Sequence, residues 1–259
     1  MLADNELLLL SGNDIPFIEA QISIHQPTLK EIAYVGEESF YSGCELLKFS
    51  KNNLPVQDRN LLFDKTDFDI IMSVIGDKTP NSQKSRVNAT MVLTLLFPEY
   101  RIEFTKDSIV LMKEKEIHSI NRFNYDAFKE IIITIFCLNG KNNERVFNPA
   151  GELAKKIADK IEEGRRRAAA AKNGKQGKVA LLSRYASIIA VGASKDLNNL
   201  MLYTVYQLFD EFQRFELKYQ HDLYIKAQLA GAKDMKEVDN WMKDIYDSSD
   251  QSDNALVQK

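Results

Sequence analysis

The spacing of apolar residues changes from alternation near the start of the chain to helical periodicity over most of its length. Residues 6–24 predict two β-like pieces on either side of the turn formed by residues 11–14, because Gly and Asn tolerate positive φ and Asp caps turns. Thr28, followed three residues later by Glu31, is a capping-box pattern that predicts the start of a helix. The apolar positions of this helix continue to Phe40.

Helical spacing and turn signals also predict the rest of the first half of the chain. Polar clusters separate the apolar runs, and two short β-rich runs around a Thr-Lys-Asp turn indicate a hairpin. In chain order, the predicted elements are a helix over 67–75, a polar loop over 79–85, a buried helix over 87–96, a hairpin over 101–112 and a helix that Asn124 caps.

From residue 140 onward the composition shifts, and the sequence has no further strand pattern. Asn148 followed by Pro149 is a helix start signal, because Asn caps helices and Pro favours the first helical position. The predicted helices are one that begins at Pro149, one over 179–191 with Leu182, Tyr185, Ile188 and Ile189 directed inward, a long one over 195–230 that Gly231 ends, and a short one over 235–246 with Trp241 and Met242 on its apolar face. The long helix carries the most regular apolar stripe, which consists of Met201, Val205, Leu208, Phe209, Phe212, Phe215, Tyr219 and Leu223.

These patterns together predict an α+β fold that is mostly helical. A small mixed α/β amino-terminal part precedes an all-α carboxy-terminal part with one long amphipathic helix. The predicted division is a mixed α/β domain over 1–145, a basic helix and hinge over 146–178, a helical domain over 179–246 and a disordered tail over 247–259.

The segment 165–178 is the most concentrated basic stretch of the chain. Residues 155–178 contain nine basic and three acidic side chains, so the local field is positive and a nucleic acid is one alternative ligand. Three consecutive arginines spread over about 200° of a helix, so they do not form one groove-reading face. Cations are favoured at the carboxy-terminal end of a helix, where the helix dipole is negative. Asn173-Gly174 is a signal for the end of a helix. We therefore predict a charged helix end and hinge, with a partner-binding surface as the main functional alternative.

The residue composition gives little support to catalysis or to a metal site. The two cysteines, Cys44 and Cys137, lie in apolar surroundings, and the three histidines are far apart in the sequence. The acidic cluster 64–69 lacks the glycine and the glutamate that an EF-hand loop requires, and helix capping by Asp67 explains most of it. We expect no enzymatic activity, no cofactor and no metal.

Net charge and hydropathy indicate in which compartment the protein is expected. A net charge of −3 and a pI near 5.8 do not suit a surface devoted to nucleic acid. The start of the chain lacks the pattern of a signal peptide, and no apolar run is long enough to span a membrane. We expect a soluble, cytosolic protein.

Two stretches carry a resemblance to a known family. Residues 15–40 resemble the "strand, x-Q-P-T-x-x-E-I, Gly, Phe" pattern of virion-morphogenesis proteins from tailed phages of Gram-positive hosts. Residues 202–215, residues 226–234 with their Leu-Ala-Gly-Ala-Lys-Asp turn, and the Trp-Met pair of residues 240–242 resemble the same proteins. Such proteins are usually placed among the tail assembly chaperones.

The resemblance implies a non-catalytic factor that binds the tape-measure protein, keeps its hydrophobic helices soluble and helps tail-tube subunits to assemble. It also implies a location in the host cytoplasm and absence from the mature virion. Self-association is a separate alternative for the partner. The alternatives are a structural virion component of the tail or neck and a nucleic-acid-binding module. The candidate partner-binding residues are Arg165, Arg166, Arg167, Lys172, Lys175, Lys178, Tyr206, Phe212 and Phe215.

Overall fold

The computed structural model describes residues 6–138, 182–231 and 240–242. Helix predominates in these residues and the strands form two small antiparallel sheets, which confirms the predicted α+β, mostly helical class. The first part, residues 6–138, contains α1 (Glu6–Ser11), β1 (Ile15–Phe17), β2 (Ile22–Ile24), α2 (Leu29–Val35), α3 (Glu37–Leu47), α4 (Val56–Leu61), α5 (Asp67–Gly76), α6 (Pro80–Leu96), β3 (Arg101–Phe104), β4 (Ser108–Lys113), β5 (Glu116–Asn121) and α7 (Tyr125–Ile135). The second part, residues 182–231, contains α8 (Leu182–Gly192), α9 (Leu197–Leu200) and α10 (Val205–Leu229).

The start of the first part differs from the prediction of two β-like pieces. Its leucine run forms α1, which buries Leu9 and packs against α10 from the other end of the described chain. A four-residue apolar run suits a helix as well as a strand, and here the distant helix decides between them. The second piece is β-structured as predicted, but it forms the two strands of the β1–β2 hairpin rather than one strand. Ile15 pairs with Ile24 and Phe17 with Ile22, and residues 18–20 form a short 3₁₀ helix between the strands.

The capping box predicted at Thr28 and Glu31 is confirmed at the start of α2. The Thr28 side chain accepts from Glu31 N, and the Glu31 carboxylate accepts from Thr28 N at 2.7 Å. The predicted continuous helix through Phe40 is instead two helices, because Gly36 has φ +89° and ψ 133°, a conformation outside the helical region that only glycine adopts readily. Phe40 is fully buried on the second of them, α3.

The helix predicted over 67–75 is confirmed as α5, but the polar loop predicted over 79–85 is wrong. Residues from Pro80 onward form the first turns of α6, and Thr79 is its N-cap. Pro at the first helical position lacks only an N–H that has no helical partner there, so Thr-Pro is a start signal within polar sequence. The buried helix predicted over 87–96 is confirmed as the second half of α6.

The predicted hairpin is confirmed as β3 and β4, and a third strand, β5, extends it to the order β3-β4-β5. The sequence did not reveal β5 because only Ile120 in it is buried, which leaves no alternation. Asn124 stands at the predicted N-cap position of α7. Its side chain does not cap the helix; it accepts from Asn121 N and donates to Ser119 O, which fixes the turn after β5.

The second part is helical, as predicted, but its long helix is interrupted. The chain leaves the helical path after α9 and starts again at α10, where Thr204 and Gln207 form a complete capping box. Gly231, with φ +85°, follows the end of α10 as predicted. The helix predicted over 179–191 is present as α8 within the described residues, with Ile189 buried and Ile188 exposed, contrary to the inward orientation predicted for Ile188.

Backbone hydrogen bonds join the two parts at the start of α2. The amides of Leu29 and Lys30, which have no partner within α2, donate to the carbonyls of Tyr203 and Met201, both at 2.9 Å. The connection between α9 and α10 therefore completes the first turn of a helix in the other part. We call this contact the joint.

Further bonds reinforce the joint from both sides. Thr28 and Thr204, the two N-cap residues, form an isolated antiparallel bridge, and Gln207 Nε2 donates to Leu10 O at 2.7 Å. Buried side chains of both parts belong to one hydrophobic core. The domain boundaries near residues 145 and 178 lie outside the described residues and stay predictions.

The helix predicted from Pro149 and the predicted tail also lie outside the described residues. Of the short helix predicted over 235–246, only residues 240–242 are described, and there Trp241 and Met242 are exposed. Within the described part of the chain, none of the helices combines the length and the apolar character that crossing a membrane requires.

Candidate partner-binding surface

The apolar stripe of α10 is buried along only the first half of the helix. Val205 and Leu208 lie in the core, and Phe209 and Phe212 pack against Tyr185 of α8, with ring centroids 4.8 and 4.6 Å apart. Beyond this contact Tyr219 is 56% exposed and Leu223 is 47% exposed. We call Tyr219 and Leu223 the distal stripe.

Phe215 lies where the buried stripe ends and the distal stripe begins. Its ring stacks on that of Tyr219 at 6.2 Å between centroids and covers Gly192 at the end of α8. A Cβ atom on Gly192 would overlap the Phe215 ring, so the absence of a side chain there allows the two helices to approach. The α8–α10 contact thus ends at this pair.

The sequence-predicted partner residues fall into three situations. Tyr206 is 3% exposed and belongs to the core, so its role in this fold is packing. Phe212 and Phe215 are half-buried against α8. The basic residues of the prediction lie outside the described residues, and they are Arg165, Arg166, Arg167, Lys172, Lys175 and Lys178.

A second exposed apolar surface lies on α6, where the sequence predicted only burial. It is an open groove of about 420 Å³ between the outer face of α6 and the end of α2. We call it the α6 groove, and its lining is Val35, Arg86, Val87, Thr90, Met91, Thr94 and Leu95.

The α6 groove exists because α6 has two apolar faces. One face enters the core with residues that include Ala89, Val92 and Leu96. The other carries apolar residues at positions 87, 91 and 95, spaced i, i+4 and i+8, and Val87 is 52% exposed. This spacing is visible in the sequence, but a single helix does not reveal which face its neighbours cover.

Close packing against α3 fixes the position of α6. Gly43 of α3 faces Asn88 and Val92 of α6, and a Cβ atom on Gly43 would overlap the Asn88 carbonyl group. The two helix backbones therefore approach closely at this point. The outer face of α6 is held in place by a contact that only glycine permits.

The polar groups of the groove are few, and most are already bonded. Thr90 Oγ1 donates to Arg86 O at 2.8 Å and Thr94 Oγ1 donates to Thr90 O at 2.9 Å, so both hydroxyls bond to their own helix. The guanidinium of Arg86 lies 5.4 Å from the centre of the Phe104 ring of β3. The groove thus combines an apolar floor with one cation at its edge.

Residues of the acidic cluster 64–69 cap helix α5 instead of forming an EF-hand site. Thr66 is the N-cap of α5 and Asp69 completes its capping box, so capping does not fall to Asp67 as predicted. Asp69 also pairs with Arg122 at 3.2 Å.

Asp67 is engaged in a network that links α5 to α7. It accepts from Lys51 N at 2.9 Å and pairs with Lys129 Nζ at 2.9 Å. Burial by itself would raise the pKa of Asp67, but the Lys51 hydrogen bond and the Lys129 ammonium outweigh it and lower the pKa below its ordinary value. Through these contacts the Asp67 carboxylate stabilises the fold.

The histidines and cysteines are held by separate contacts. His25 lies between Asp14 at 3.0 Å and Glu31 at 3.4 Å, and His118 Nδ1 lies 2.9 Å from Ala20 O. Burial raises the pKa of the Cys44 thiol, and likewise raises that of Cys137 to about 12. Within residues 6–138, 182–231 and 240–242, no group of three or more His, Cys, Asp or Glu is placed to hold a metal ion.

Comparison with known families bears on the second part of the chain. A family model described as the YomV second domain matches residues 172–246, which include α8, α9 and α10. This region is therefore similar to a phage-related family. Comparison with curated proteins and with solved structures gives no significant match.

Proposed function

We propose that the protein is a non-catalytic, protein-binding factor of a tailed phage, and that it acts as a tail assembly chaperone for the tape-measure protein. Two sequence relationships support the phage assignment: the similarity of residues 172–246 to the YomV second domain and the resemblance of residues 15–40 to virion-morphogenesis proteins. The structural observation that carries the protein-binding role is the α6 groove.

The groove supports a binding role because its apolar side chains stay exposed although the described residues already form a buried core. The core of the described residues is filled from both parts of the chain, and yet Val87 and Met91 remain exposed side by side on α6. A hydrophobic groove is one kind of surface to which an amphipathic helix of a partner binds. A chaperone for apolar helices requires such a surface, and the absence of the protein from the mature virion would follow from its release after assembly.

Co-expression with the tape-measure protein of the same phage tests this proposal. We expect the two proteins to co-purify as a soluble complex, and the tape-measure protein to precipitate when expressed alone. Addition of the tail-tube protein tests whether it joins the complex. A tape-measure protein that stays soluble alone and does not co-purify would contradict the chaperone function.

Mass spectrometry of purified phage particles separates the chaperone from a structural component. A chaperone is expected to be absent, whereas stoichiometric amounts in the particle would assign the protein to the tail or neck. Nucleic-acid binding through residues 165–178 is tested by a mobility shift at low salt, because such binding weakens steeply as salt rises.

A further inference from the structure

We infer that the α6 groove receives an amphipathic α-helix of the partner, and that Arg86 pairs with a carboxylate at one end of the apolar stripe of that helix. This inference rests on the proposed function in one respect, namely that the partner is a protein.

The dimensions of the groove fit about two turns of a helix. Residues 87, 91 and 95 extend over about 12 Å of α6, at about 1.5 Å per residue, and Val35 flanks them from the end of α2. Helices that bind in grooves insert side chains spaced i, i+3 or i+4 and i+7. The same spacing on both sides allows the partner's stripe to pack against Val87, Met91 and Leu95.

The hydrogen-bonding groups of the groove favour a helix over an extended peptide. An extended peptide needs backbone partners, such as those at the edge of a sheet. The groove is lined by the side chains of a helix, and the hydroxyls of Thr90 and Thr94 already donate to α6 carbonyls. A helix satisfies its own backbone, so it can bury its apolar face here without leaving polar groups unpaired.

The charge of the groove specifies a carboxylate on the partner. Arg86 is exposed at the edge of the groove, and the central carbon of its guanidinium lies 5.4 Å from the centre of the Phe104 ring. Among the residues that the structure describes, no carboxylate forms an ion pair with Arg86. The guanidinium presents its N–H donors in a planar fork, so it can bind a carboxylate with two hydrogen bonds.

Two synthetic helical peptides provide the first test. Both carry leucines at i, i+4 and i+7, and they differ only in one residue beside the stripe, which is Glu in one and Lys in the other. Fluorescence anisotropy with the full chain is expected to show about two- to fivefold tighter binding of the Glu peptide, the range for an exposed ion pair. Arg86→Glu is expected to reverse this preference, and an unchanged preference would overturn the assignment of Arg86.

Two substitutions with the same chemical change test whether the peptide binds in the α6 groove. Met91→Asp places a charge in the middle of the groove and is expected to weaken peptide binding at least about tenfold, because a charge opposite apolar side chains is desolvated without a partner. Phe123→Asp is the control, since Phe123 is 92% exposed on the turn before α7 and does not line the groove. Equal binding by both variants, with unchanged circular dichroism, would overturn the inference.

Two other segments could fill the groove, and each would give a result that differs from that of a partner helix. If a second copy of the chain fills the groove, Met91→Asp abolishes concentration-dependent self-association seen by light scattering. If residues 149–163 of the same chain fill it, Ile157→Asp strengthens peptide binding. Either result would overturn the assignment of the groove to a partner helix.

Co-purification with the tape-measure protein separates this inference from the proposed function. A complex that forms equally well with Met91→Asp and with Phe123→Asp would overturn the role of the groove and leave the proposed function intact. A peptide that binds according to the charge of residue 86, with no tape-measure complex, would support the groove and contradict the proposed function.

Discussion

The two long helices, α6 and α10, both expose apolar side chains, but the exposed residues are placed differently relative to the buried ones. On α6 the exposed apolar face lies beside the buried one, so the two run in parallel along the helix. On α10 the exposed residues follow the buried ones, because α8 covers only the first half of the helix. The first arrangement gives a groove, and the second gives a helical segment that the described residues leave partly exposed.

This difference shows that an apolar stripe is buried only where another element reaches it. The stripe of α10 is regular from Val205 to Leu223, yet its exposure rises from zero at Leu208 to 47% at Leu223. The α6 groove keeps its shape through the packing of α6 on α3, whereas the distal stripe has no second wall in the described residues. Matched substitutions on the two helices can break or sharpen this comparison.

The largest contrast is expected between two leucines of the same stripe. Leu208→Ala should lower the free energy of unfolding by about 2–5 kcal/mol, because it leaves a cavity in the core. Leu223→Ala should change it by less than about 0.5 kcal/mol, as is usual for exposed positions. Urea denaturation followed by circular dichroism measures both. A large cost for Leu223→Ala would mean that the distal stripe is covered.

Gly43→Ala tests the contact that holds α6. Because the added Cβ atom overlaps the Asn88 carbonyl, the helices must separate, and we expect a loss of about 1–3 kcal/mol, as for other overpacked sites. Gly76→Ala is the control, since nothing lies within 4 Å of its added Cβ atom. Equal stability of the two variants would contradict the close approach of α3 and α6.

The N-caps of the two helices should differ by a smaller amount. Thr204, at the start of α10, is buried at the joint, whereas Thr79, at the start of α6, caps in an exposed loop. Substitution of an N-cap by Ala costs about 0.5–2 kcal/mol, and we expect Thr204→Ala near the upper end and Thr79→Ala near the lower. Thermal unfolding of both variants measures the difference, and the reverse order would disprove a special role for the buried cap.

The smallest effect is expected at the end of the α8–α10 contact. In Gly192→Ala the added Cβ atom displaces the half-exposed Phe215 ring, which can rotate outward, so the loss of stability should stay below about 1 kcal/mol. The ring of Tyr219 should lose its neighbour, and its NMR chemical shifts report this directly. Unchanged Tyr219 shifts would show that the ring remains in place.

Signals that act within one helical turn could be read from the sequence. The Thr28–Glu31 capping box and the turn between β3 and β4 were predicted correctly because they depend on neighbouring residues only. The Thr79-Pro80 start is of the same local kind, but the polar residues after it favour a loop when only their composition is considered. The start of α6 could therefore be predicted from the sequence. The helical state of α1 depends on its packing against α10, which is remote in sequence.

The candidate site depended on contacts that the sequence does not contain. The sequence pattern indicates the aromatic residues of α10, and Tyr206 among them is buried in the core that both parts share. The α6 groove requires the end of α2 beside the outer face of α6, and the ring of Phe104 near Arg86. Only tertiary packing brings these together, so the 87, 91, 95 spacing alone did not indicate an exposed surface.

The joint between the two parts has a consequence for amide hydrogen exchange. The first amides of an isolated helix have no helical acceptor and exchange rapidly with solvent. In α2 the amides of Leu29 and Lys30 are instead bonded to the carbonyls of Tyr203 and Met201. Their protons become free when the second part separates from the first, even while α2 itself stays folded. The exchange rates of these two amides therefore report the free energy with which the second part is held in place.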